Sequence, residues 1–151
     1  IVRELQGVAD LEPLIGAELG VSRWHSVEQD RIQGFADATG DHQWIHVDPE
    51  RAASGPFGRP VAHGYLTLSM IPFFAKEVYR VNGLKMIVNY GLNKVRFPSP
   101  IPAGSRVRSR LTLVSVTPAA QGSQVVIRHE IELEHGTRPA CVAETVSLLV
   151  G

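Results

Sequence analysis

The sequence predicts an α+β domain in which an antiparallel sheet wraps around one buried helix. Three observations predict it. A stretch after Gly64 (YLTLSMIPFFAKEVYRV) is apolar nearly all round in its first half, the pattern of a helix enclosed in a core. Everything after Gly83 reads as long extended segments joined by turns. A lone strand and a short amphipathic helix precede the buried helix.

Taken in order, residues 10–16 (DLEPLIG) make a short helical turn and residues 18–25 (ELGVSRWH) a first strand. Ser26 is the expected N-cap of a helix that carries Ile32, Phe35 and Ala36 at helical spacing. That helix should run to about Ala38 and break at Thr39 and Gly40. Pro49 opens a second short helix (PERAAS), which Gly55 and Pro56 end. Pro72 should kink or split the buried helix, because it removes a hydrogen-bond donor and crowds the preceding turn.

Residues 84–97 read as one extended segment, followed by a turn rich in proline (Pro98, Pro100, Pro102) that closes on Gly104. Residues 105–117, 123–135 and 139–150 are three further strands. The middle one alternates most cleanly. Val125, Ile127, His129, Ile131 and Leu133 share one face, and Arg128, Glu130, Glu132 and Glu134 the other. Gly136 and Thr137 supply a hairpin turn into the last strand. The hot-dog fold has this order of elements.

A chain of 151 residues with no repeat, low-complexity tract or linker fits one domain spanning 1–151. Lysine plus arginine and aspartate plus glutamate both number 15, and this balance argues against nucleic acid as the main partner. Cys141 is the only cysteine, so no internal disulfide is expected and a reducing, cytoplasmic setting is. The first twenty residues lack the apolar block of a signal peptide, although the chain begins at Ile1 rather than Met. Residues 61–75, the most apolar stretch, are too short and too interrupted to span a bilayer, so no membrane partner is expected.

The chemistry concentrates between Phe35 and His46 (FADATGDHQWIH). Asp41 and His46 are five residues apart, a spacing that neither a regular helix nor a regular strand brings together. They converge only if residues 41–46 form an irregular loop, which Gly40 and the lost apolar period across 39–44 permit. Read locally, Asp41 as an Asx-turn residue and His46 as a satisfied surface histidine fit equally well. His42 and His46, four apart, match metal-ligand spacing only on a helix, for which Gly40 and Pro49 leave little room; no metal is expected. His63 reads as a structural group at the start of the buried helix, and His129, on an apolar strand face, as a satisfied core histidine.

This segment resembles the signature of the MaoC-like (R)-specific enoyl-CoA hydratases. Phe35, Thr39, Gly40, Asp41, Ile45, His46 and Ala52 stand at its positions. A second block, from Arg59 to Leu66 (RPVAHGYL), matches that family's His-Gly start of the central helix. A third, from Tyr90 to Pro98 (YGLNKVRFP) and on to Gly104, looks like the branch that contains nodulation protein N. The family usually has Asn-Pro where this chain has Gln43 and Trp44, which bears on pocket shape more than on chemistry.

The resemblance implies a homodimeric hot-dog enzyme of fatty-acid metabolism that adds water to trans-2-enoyl-CoA to give the (3R)-3-hydroxyacyl-CoA. Coenzyme A is part of the substrate, and no cofactor is implied. Asp41 and His46 are the implied catalytic pair, a carboxylate and an imidazole that grip one water. The backbone N–H of Gly64 is the implied support for charge on the thioester oxygen, and Gln43 a substrate contact. General acid–base help of this kind is worth ~10²–10⁴-fold. Arg96, Arg106, Arg108 and Arg110 form a basic group that is either a solvated strand face or a contact to coenzyme A phosphates. Two alternatives share the substrate class: a hot-dog thioesterase, and a non-catalytic acyl-thioester binding or accessory protein.

Overall fold

A computed structural model describes residues 1–151. Five strands form a sheet in the order β2 (Glu18–Val21), β6 (Ser105–Ala119), β7 (Gly122–Leu133), β8 (Cys141–Val150) and β5 (Met86–Arg96). Every pairing in it is antiparallel, and a further short strand, β3 (His25–Val27), also pairs with β6. Against its inner face lie α4 (Gly64–Ser69) and α5 (Ile71–Val78). The remaining helices, α1 (Gln29–Thr39), α2 (Trp44–Val47) and α3 (Pro49–Ala53), come between β3 and α4 in the chain. No helix is long and apolar enough to cross a membrane.

The buried helix is split as Pro72 demands. The break falls at Met70, and Pro72 stands in the first turn of α5, where its missing N–H has no partner to lose. The helix also ends three residues earlier than its apolar pattern predicts. Residues 79–82 instead form β4 (Tyr79–Asn82), paired in parallel with β1 (Arg3–Gln6) in a separate two-stranded sheet. The first predicted strand is broken at residues 22–24. Ser22 Oγ accepts a hydrogen bond from Ser109 N–H at 2.9 Å and interrupts the ladder there. Ser26 is not an N-cap: it lies in β3, its backbone paired with Arg106, and Glu28 precedes α1.

Two apolar clusters fill the space between helices and sheet. One gathers Ile32, Leu66, Phe74, Val107, Ile131 and Cys141; the other gathers Leu11, Val78, Leu111, Leu113, Ile127 and Leu149. The inner face of β7 is the predicted one, with Val125, Ile127, His129 and Ile131 all buried. Its outer face pairs with that of β6 as an ion ladder. Arg108 Nε donates to Glu132 at 2.7 Å, Arg106 meets Glu134 at 3.3 Å, and Arg108 also covers the Trp24 ring at 4.4 Å.

His129 is 1% exposed, and burial pushes its pKa down to about 4. It stays neutral in the folded chain, whereas an unfolded histidine binds a proton below about pH 6.5. The unfolded state therefore takes up more protons as pH falls, and folding loses stability between about pH 6.5 and 4. Denaturant unfolding should show a decline of about 2–3 kcal/mol across that window. The decline should be much smaller in His129→Asn; an equal decline in both would place the titrating group elsewhere.

Candidate active site

Gly40 ends α1 in the left-handed region (φ 84°), which a side chain at that position would resist, and this turns the chain sharply into Asp41. Residues 41–43 are irregular, as Asp41 and His46 require, and α2 then forms a single helical turn that carries His46 inward. Asp41 is exposed; its Oδ1 accepts weakly from Gln43 N–H at 3.4 Å. His46 is buried, and its ring is fixed by a 2.6 Å hydrogen bond between Nδ1 and the carbonyl oxygen of Val61.

That bond settles the tautomer. A carbonyl oxygen only accepts, so Nδ1 carries the hydrogen and, in the neutral ring, Nε2 carries a lone pair. The amide of Gln29 donates to the His46 carbonyl oxygen at 2.8 Å and braces the same turn from α1. His63 lies beneath. Its Nε2–H donates to the Asp41 backbone carbonyl at 3.0 Å, and its ring stacks on His46 with centroids 3.9 Å apart. Phe35 packs on the other histidine, ring to ring at 4.9 Å from His63. One side-chain donor atom from each of Asp41, His46 and His63 lies within 4.8 Å of the other two. His63 Nδ1 is buried there with no partner in the chain.

His63 is thus both the structural group expected and part of the same cluster, tying the Asp41 backbone to the start of α4. His42 stays out: its Nε2 pairs with Asp37 at 2.9 Å, and that hydrogen bond holds the Asp37 carboxyl below the usual carboxylate range. Gly64 is the first residue of α4, so its N–H has no intrahelical partner. A Cβ on Gly64 would lie 3.1 Å from the Phe97 ring, so glycine lets that ring approach the helix start. Phe97 belongs to the site, and the sequence reading did not single it out.

Gln43 precedes α2 and its side chain makes no hydrogen bond within the chain. Trp44 packs against Gly55 and under the Arg51 guanidinium, 4.4 Å from the ring. Arg106, Arg108 and Arg110 are paired with carboxylates on the outer sheet face, whereas Arg96, at the end of β5, carries no ion pair.

The hot-dog domain thus brings a loop carboxylate, Asp41, and an oriented imidazole, His46 on α2, together near the start of its central helix, an arrangement that can do acid–base chemistry on a bound water. Residues 10–134 match the MaoC-like domain family, and the chain belongs to that family of dehydratases. It is 50% identical over 146 residues to 3-hydroxyacyl-thioester dehydratase Z of Mycobacterium tuberculosis, covering 96% of this chain and 97% of the relative. It is 44% identical to nodulation protein N of Rhizobium leguminosarum bv. viciae, over 94% of this chain and 90% of that protein. Among solved structures, the R-hydratase PhaJ1 of Pseudomonas aeruginosa in unliganded form shares the fold. Its TM-score is 0.76 at 22% identity, with 97% of this chain and 88% of that one covered.

Proposed function

We propose that the chain is a hydro-lyase that adds water reversibly to trans-2-enoyl-CoA, giving the (3R)-3-hydroxyacyl-CoA. The observation that carries this is the approach of Asp41 and His46, whose side-chain polar atoms lie within 4.8 Å of each other, with the Val61 bond occupying His46 Nδ1 and leaving Nε2 free. The carboxylate and Nε2 are both acceptors in their resting forms, and one water molecule offers two hydrogens. Held by both, the water presents its oxygen to C3. As the C–O bond forms, one partner takes a proton from the water. That proton equivalent is returned to C2, so the pair ends as it began. Gly64 N–H supports the negative charge that develops on the thioester oxygen, and a single such donor is worth about 3–4 kcal/mol in other enzymes.

No metal takes part in this reading. Asp41, His46 and His63 are close enough to share an ion, but the two imidazoles are stacked only 22° from parallel. Ring lone pairs lie in the ring planes, so stacked rings direct them side by side rather than at one point, which supports a metal-free site. Turnover should survive exhaustive chelation, and activity that returns only on adding a divalent ion would contradict this.

The protein works as a homodimer in the same reading, with two copies meeting along β5. That strand is the sheet edge, and it leaves Met86, Ile87, Tyr90 and Leu92 exposed. An apolar unpaired edge is open to pairing with another strand. Light scattering at micromolar concentration should give about twice 16.5 kDa. Tyr90→Glu should shift the chain towards monomer, and a fully active wild-type monomer would contradict the interface. Arg96 contacts the coenzyme A phosphates in this account, since it is the strand-end arginine left without a carboxylate partner. A cytoplasmic location, suggested by the lone buried thiol of Cys141, completes it.

The experiment that tests the reaction is an absorbance assay with crotonyl-CoA. Loss of the conjugated double bond without release of free thiol is the expected result. Thiol release would identify a thioesterase, and no change in either signal would identify a binding protein.

A further inference from the structure

The inner face of the sheet carries a buried polar pair where its two apolar clusters meet. Along β6 it reads Val107, Ser109, Leu111, and along β7 Ile131, His129, Ile127, so Ser109 and His129 sit at the seam between the two apolar clusters. Ser109 is fully buried and His129 is 1% exposed. Polar groups buried this way cost stability unless they are hydrogen-bonded. The bond present joins Ser109 Oγ to His129 Nδ1 at 2.9 Å.

Ser109 Oγ has no other partner. If Nδ1–H donated to it, the hydroxyl hydrogen would be left buried and unpaired, at a cost of about 1–3 kcal/mol. The bond therefore runs from Ser109 O–H to Nδ1, and the ring hydrogen sits on Nε2. No atom of the chain accepts from it.

His129 lines a cavity of about 900 Å³ between the central helices and the inner face of β5, β7 and β8. Leu68, Ile71 and Ala75 form the helix side, and Thr145 and Ser147 join His129 on the sheet side. Leu68 lies one turn beyond Gly64, about 6 Å along the helix axis, so the cavity begins next to the proposed thioester position. The copy proposed to pair along β5 would cover the side bounded by Ile87 and Tyr90. A mainly apolar channel with a neutral N–H donor in its wall suits an uncharged oxygen. Lys76 and Arg80, the charged residues that line the cavity, are exposed, and Arg80 is paired with Glu4. A carboxylate held at the buried His129 would be desolvated without a buried opposite charge.

We infer that this cavity takes the acyl chain of a thioester carrying an uncharged oxygen function, a ketone or a hydroxyl, beyond the reacting carbons, and that His129 Nε2–H donates to that oxygen. The inference rests on the acyl-thioester reading of the Asp41 and His46 site. It makes His129 a specificity-determining residue, and it accounts for a polar pair kept where two apolar clusters meet.

Binding calorimetry tests it without turnover. The purified chain is titrated with decanoyl-CoA and with its 5-oxo, 7-oxo and 9-oxo derivatives. At least one oxo chain should bind about five- to tenfold tighter than decanoyl-CoA, the range expected of one hydrogen bond to a buried donor. His129→Leu should bring that ratio close to one. Ser109→Ala, which frees the ring to change tautomer, should lower it. Ratios within one protein are unaffected by a uniform loss of affinity in a variant. Equal affinity for all four ligands in the wild type, or no binding of any, overturns the inference, as does a ratio that survives His129→Leu. Crotonyl-CoA hydration measured on the same preparation keeps the two readings apart. Hydration without an oxo preference overturns the cavity assignment alone, and an oxo preference without hydration overturns the hydratase reading alone.

Discussion

Replacing Asp41 by Asn, or His46 by Gln, is expected to lower the turnover of crotonyl-CoA by at least ~10²-fold in each case. Each change leaves a side chain of similar size but removes one of the two acceptors that grip the water. Asp41 is exposed, so its isosteric replacement should leave thermal unfolding in place and separate lost chemistry from lost folding. His46 is buried on the Val61 carbonyl, and the glutamine amide can still donate to that oxygen while losing the ring lone pair. The double variant should be far less impaired than the product of the two single effects, because the residues act on one water as a unit. Near-normal turnover in either single variant would remove that residue from the chemistry.

The second large effect is on stability. Phe74 is fully buried in the first cluster, which also holds Ile32, Leu66 and Ile131, and its ring meets that of Phe73 edge-on. Phe74→Ala combines lost apolar burial with a cavity that the split helix and the sheet cannot both close. It should cost about 3–5 kcal/mol. Against a total stability of about 5–15 kcal/mol for a domain, that is a large share. Thermal unfolding should fall by on the order of 10 °C for a chain of this size. Phe74→Leu, which retains most of the volume, should cost roughly 1–2 kcal/mol. Equal losses in the two variants would mean that the site relaxes around either residue.

The strands β6, β7 and β8 were legible because each buries one face, so alternation in β7 and the turn residues between strands state the sheet directly. The irregular loop was legible from Gly40 and from a spacing that no regular element satisfies. Other features left no local trace. The β1–β4 pair joins residues 3–6 to residues 79–82, and neither segment is long enough to show a period. Ser26 has the side chain of a helix cap, but backbone pairing with Arg106 holds it in β3. The orientation of His46 depends on a backbone carbonyl fifteen residues away, and a main-chain acceptor has no residue type to read. Phe97 stands in a proline-rich turn whose composition signals only a bend, and its place over Gly64 follows from the path of β5.

The central claim is that one water, held by Asp41 and His46 on one side of the substrate, supplies both the oxygen at C3 and the hydrogen at C2. Hydration of crotonyl-CoA in deuterated water, with NMR of the labelled C2 and coupled assays using 3R- and 3S-specific dehydrogenases, measures this directly. Syn addition with a (3R) alcohol is the predicted result. Anti addition would put the acid and the base on opposite faces of the double bond, and a 3S product would mean that Gly64 N–H does not pin the thioester as described.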